Sequence, residues 1–112
     1  MTREDIKNKL DEWADSGLLC SKRGTGFDYT AIKRMIGNGE LYATSYENVV
    51  ARSEDVRDEF EKYVKEGQIM NTAAVMARTG LTTAYRISLA CAEGELLRFG
   101  KLGNGAVLYI KD

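Results

Sequence analysis

Apolar positions first recur along this chain in a helical period. Ile6, Leu10, Trp13 and Ala14 fall at i, i+4, i+7 and i+8, the stripe of an amphipathic helix. Val56, Phe60, Tyr63 and Val64 repeat those offsets 50 residues later. "EDIKNKLDEWADSG" from Glu4 and "EDVRDEFEKYVKEG" from Glu54 keep their Glu, Asp and Gly, and other pairs keep their character. Gly17 and Gly67 stand where a helix closes on a left-handed residue, which suits glycine. The echo continues with a drift. Thr25-Gly26 answers Thr79-Gly80 at a spacing of 54, and "NGELY" from Asn38 answers "EGELL" from Glu93 at 55. Three matches in the same order predict a duplicated unit of about 50 residues.

The second copy reads more clearly. After Gly67, Asn71 or Thr72 can cap a short helix running to about Arg78, which Gly80 breaks. Thr82 or Thr83 can cap the next helix, "TAYRISLACAE", which ends at Gly94. Two strands follow, Glu95 to about Lys101 and Ala106 to Ile110, around a Gly-Asn-Gly turn. Asn104-Gly105 is a strong hairpin signal, because a type I′ turn needs positive φ at both central residues. In the first copy the second helix, "LLCSKRG", is cut short, and the hairpin would be "ELYATSYENVVA" with its turn near Glu47-Asn48.

Helix, short helix, tight turn, helix, hairpin: this order resembles the winged helix-turn-helix superfamily, well over Glu54–Asp112 and less fully over Glu4 to Ala51. The resemblance implies a mostly α fold with short β-hairpins (α+β), as two tandem winged helix-turn-helix units. The first, reduced unit would be residues 1–52 and the second 53–112, packed as one body because the linker at Ala51–Ser53 has almost no slack. One departure stands out. Met76 lies four before Gly80, where the family usually has a small residue, implying a wider helix crossing.

Composition narrows the function. The 16 basic and 17 acidic residues nearly cancel, so no bulk charge draws the chain to nucleic acid or membrane. The chain has no histidine, and its two cysteines, Cys20 and Cys91, form no CxxC. Neither a metal site nor a nucleophile–base pair is expected, nor a cofactor or enzymatic activity. "RGTGFDYT" lacks the GK[ST] of a phosphate loop. No apolar run is long enough for a membrane span, and a cytoplasmic setting with reduced, buried thiols is expected. Trp13 and Tyr63 read as core, and Tyr42 and Tyr46 as hairpin packing.

Charge is locally uneven. Residues 54–66 hold six acids against three bases, whereas 67–112 hold five bases against three acids and 18–46 hold four against two. Acid gathers on the first helix of each unit and base on the turn-helix-wing segments, the bias a DNA-binding protein needs. Placing Lys33 and Arg34 outside turns Ile32, Met35 and Ile36 inward, and carrying that phase across by 55 turns Ile87, Ala90 and Cys91 inward. Thr30, Lys33 and Arg34 are then exposed in the first unit, and Thr82, Tyr85, Arg86 and Leu89 in the second. In the family the third helix usually enters the major groove while the wing touches phosphates or the minor groove. The resemblance thus implies a small transcription regulator on double-stranded DNA, of a kind common in phages and bacteria. Lys33, Arg34, Thr82, Thr83, Tyr85 and Arg86 would approach the DNA, and Arg98 and Lys101 on the wing would hold phosphates. The alternative is a protein-binding winged helix, an adaptor or an inhibitor docking on a larger enzyme through Tyr85 and Leu89. The same pair could instead pack the two units together or form a homodimer.

Overall fold

Thr2 opens the first helix with a capping box. Its hydroxyl accepts from the Asp5 N–H, and the Asp5 carboxylate accepts from the Thr2 N–H, both at 3.2 Å. The structure, a computed structural model, describes residues 1–80 and 83–112. Its elements in order are α1 (Arg3–Asp15), β1 (Leu19–Ser21), a 3-10 turn (Arg23–Thr25), α2 (Tyr29–Gly37), β2 (Tyr42–Ala43), β3 (Val49–Ala51), α3 (Glu54–Lys65), β4 (Ile69–Asn71), α4 (Thr72–Thr79), α5 (Ala84–Ala92), β5 (Leu97–Phe99) and β6 (Leu108–Ile110). The fold is α+β, with five α-helices and two three-stranded antiparallel sheets among the described residues.

The same element order occurs twice, and it follows the drift seen in the sequence. β1 and β4 start 50 apart (69 − 19), and α2 and α5 start 55 apart (84 − 29). The side-chain caps of those two helices, Asp28 and Thr83, share the offset of 55. Gly26 and Gly80, 54 apart, both close the preceding helical turn with positive φ, 77° and 72°. The third strands, β3 and β6, are 59 apart (108 − 49), so four further residues enter the second hairpin. Sheet orders match as well, β1-β3-β2 and β4-β6-β5.

Each sheet divides the molecule into an inner and an outer core. Because side chains alternate along a strand, Leu19, Val49 and Ala51 face inward while Cys20 and Val50 face α2. In the second sheet Ile69, Phe99, Leu108 and Ile110 face inward, and Met70 and Tyr109 face α4 and α5. The inner core is shared. Ile6, Leu10 and Trp13 of α1 and Val56, Phe60 and Tyr63 of α3 meet there between both sheets. Ile32 of α2 covers the outer face of the first sheet, and Val75, Ile87 and Ala90 cover that of the second. Strands β3 and β6 are therefore buried along their whole length.

Paired contacts cross the centre in both directions, as at an internal twofold. Lys9 of α1 bridges to Glu59 of α3 at 3.1 Å, and the two are counterparts in the repeat (59 − 9 = 50). Tyr46 on the first hairpin donates its hydroxyl to the Ile69 carbonyl at 2.8 Å, and Asn104 on the second donates to Ser21 Oγ at 3.3 Å. Each hairpin thus docks on the first strand of the other half. Only Arg52 separates β3 from the Ser53 cap of α3, so the halves are joined without slack.

Two local expectations need correction, and one strand was not foreseen. "LLCSKRG" does not begin as a helix: Leu19–Ser21 pairs with β3, and the second helix survives only as the 3-10 turn. Ile69–Asn71, to which the sequence assigned no element, likewise pairs with β6. Both segments owe their form to long-range pairing, which helical periodicity does not register. The second hairpin is not a two-residue turn between long strands. The Ala106 N–H does bond to the Gly103 carbonyl at 2.9 Å across Asn104 and Gly105, both with positive φ (52° and 79°). Leu102 and Ala106 are drawn into the shared core, however, which ends the ladder at Phe99 and Leu108. Met76 is half-buried against the outer core of the second half.

The titrating groups at this centre give one test. Burial raises the Tyr46 and Tyr63 phenols above the ordinary 10.0, with a smaller upward push on Tyr63 from Glu59. Hydrogen bonding to Glu59 raises Lys9, and to Asp15 raises Lys101, above 10.5. A group whose folded pKa exceeds its unfolded one stabilises below the unfolded value, and that stability is lost as pH rises through the folded one. All four shifts have the same sign. The urea midpoint is expected to fall as pH rises above about 10, and a midpoint that climbed there would contradict this packing.

Candidate nucleic-acid interface

The phase of the third helices decides what they display. Asp28 caps α2 by accepting from the Ala31 N–H at 2.7 Å, which sets Ile32 inward, and Met35 and Ile36 pack behind it. Thr30, Lys33 and Arg34 are exposed. Thr83 caps α5 in the same way, accepting from the Arg86 N–H at 3.2 Å. Ile87 and Ala90 are buried and Cys91 is half-buried, leaving Thr83, Tyr85, Arg86 and Leu89 outside. Both helices therefore adopt the expected phase. Thr82 lies outside the described residues.

Side chains of Lys33, Arg34 and Arg86 form no salt bridge among the described residues, so their charge faces solvent. The wing cations differ. Arg98 is exposed on β5, opposite Tyr109 in the ladder. Lys101 is held 2.5 Å from Asp15 of α1, and its hairpin loop folds inward with Leu102. Lys101 therefore has a carboxylate partner already, which weakens its expected role on phosphate.

Exposed apolar bulk gathers at the same helices. Phe27, Tyr29, Tyr85 and Leu89 are 44%, 70%, 75% and 43% exposed, and among the described residues only Met1 joins them as a large exposed hydrophobic. Tyr42 and Tyr46, by contrast, are committed to packing. Tyr42 lies under the Arg57 guanidinium at 5.4 Å, and Tyr46 meets Phe60 edge-on at 6.2 Å between ring centres.

One feature was not singled out from the sequence. The hairpin tips of both halves meet beside the 3-10 turn, and a cleft of about 280 Å³ between them is lined by Lys22, Arg23, Asn48, Asn104 and Gly105. An adjoining cleft of about 270 Å³ runs from Lys22 and Arg23 past Glu47 and Asn48 to Phe27 and Tyr29 at the head of α2. Lys22 and Arg23 are visible in the sequence only as part of a basic bias, since the neighbours of Arg23 in space come from 25 and 81 residues away (48 − 23, 104 − 23). Cys20 and Cys91 are both free and half-buried, and burial raises the Cys91 thiol above its usual value. No helix among the described residues is long and apolar enough to cross a membrane. Comparison of the chain with protein families, curated proteins and solved structures finds no match.

Proposed function

We propose that this chain is a DNA-binding protein, a small transcriptional regulator built as two tandem winged helix-turn-helix units. The observation that carries this reading is the outward display of Lys33, Arg34 and Arg86, without salt-bridge partners among the described residues, on the third helix of each half. The repeated order of helix, strand, helical turn, helix and two strands supports it. Thr83, Tyr85 and Arg86 would serve the second half, with Arg98 as its backbone contact.

The second reading is favoured by one specific observation. The exposed ridge of α5 presents Tyr85 and Leu89, which suit an apolar protein interface better than a phosphate-lined groove. An adaptor, or an inhibitor docking on a larger enzyme, would use that ridge. The two readings separate on mutation. For a DNA-binding protein, Arg34→Ala is expected to weaken duplex binding by about 1–3 kcal/mol if it reads a base edge, measured by fluorescence anisotropy. Undiminished binding would remove α2 from the interface.

A further inference from the structure

The two halves share a backbone but not a surface. Aligning the elements by their offsets, Lys22 and Arg23 (+50) correspond to Thr72 and Ala73, and Lys33 and Arg34 (+55) to Ser88 and Leu89. None of these four cations has a basic counterpart at the matching position of the second half. The second half instead carries Arg86 where the first has Ala31 (31 + 55).

The segment bearing Lys22 and Arg23 is held firmly. The Lys22 N–H donates to the Asn48 carbonyl at 2.9 Å, and the Thr25 hydroxyl donates to the Lys22 carbonyl at 2.6 Å. Buried Ser21 ties it to the other half, its Oγ accepting from the Gly24 N–H at 2.9 Å and from Asn104 at 3.3 Å. Neither Lys22 nor Arg23 has a salt-bridge partner among the described residues, and the one carboxylate lining their cleft is that of Glu47. Two cations on a fixed turn, with Phe27 and Tyr29 as apolar walls, match a sugar–phosphate strand: phosphate to the cations, sugar to the rings.

We infer that the two adjoining clefts that share Lys22 and Arg23, one between the hairpin tips and one running to Phe27 and Tyr29, form the principal phosphate-backbone site, and that the first half carries most of the electrostatic binding. This rests on the DNA reading and sharpens it. The wings then act chiefly as the frame of this site, not as its cations.

The test compares charge-matched double variants of the full chain on mixed-sequence duplex DNA across a salt series. Each phosphate contact contributes about 0.9 to the slope of log affinity against log salt. Lys22→Ala/Arg23→Ala is expected to reduce that slope by about 1.8, whereas Lys62→Ala/Lys65→Ala, on exposed α3 positions, leaves it unchanged. Lys22→Gln/Arg23→Gln, which keeps polar side chains on the turn, is expected to reproduce the reduction and so covers a fold defect in the alanine pair. An unchanged slope in the glutamine pair, or an equal loss in the α3 pair, overturns the inference while leaving DNA binding standing. A wild-type chain that fails to bind at about 50 mM salt overturns the DNA reading itself.

Discussion

Phe60→Ala is expected to lower unfolding stability by about 3–5 kcal/mol and to do so for the whole chain at once. Phe60 is fully buried at the centre of the shared core, against Tyr46 of the other half. Removing the ring leaves a cavity that both sheets line, and neither can close it without moving the other. Leu10, its counterpart fifty positions earlier and also fully buried, should cost about 2–5 kcal/mol as alanine. Thermal melting read at the Trp13 fluorescence and by far-ultraviolet dichroism checks both. Coincident transitions shifted to lower temperature are expected. A variant in which one half melts while the other keeps its midpoint would show that the core is not shared.

The second large effect concerns the isolated second half. A fragment of residues 53–112 retains the Ser53 cap, all three strands of its sheet and the outer core around Val75 and Ile87. It loses α1, whose Ile6, Leu10 and Trp13 cover the inner face formed by Phe60, Tyr63, Ile69 and Ile110. A chain of some 60 residues is marginal even with a complete core, and this one would expose its largest apolar face to water. The fragment is expected to be unfolded or aggregated, with little helical dichroism and narrowly dispersed amide resonances. A well-dispersed, cooperatively melting fragment would contradict the account and establish an independent domain.

Helix positions and their phase were legible in the sequence because their signals are local. Gly17, Gly26, Gly67 and Gly80 close helical turns with positive φ, and Asp28, Asn71 and Thr83 cap by reaching three residues ahead. The exposure of Lys33, Arg34, Tyr85 and Leu89 followed from one phase and one offset. Strands β1 and β4 were not legible: each is three residues long, too short for alternation to stand out, and each is held by a partner some 30 or 40 residues on. The inward fold of the second hairpin was hidden for a related reason. Asn104-Gly105 announces a turn, but what pulls Leu102 and Ala106 under α1 is the apolar face of the other half. Lys22 and Arg23 show the same limit at the candidate site, since their significance comes from two hairpin tips meeting beside them.

Equilibrium binding of the intact chain to mixed duplex DNA, from roughly 50 to 200 mM salt, tests the functional account most directly. It predicts measurable affinity at the low end and a steep linear fall of log affinity with log salt. No binding at low salt by a folded chain would contradict it, and would leave the exposed Tyr85–Leu89 ridge of α5 as the surface to explain.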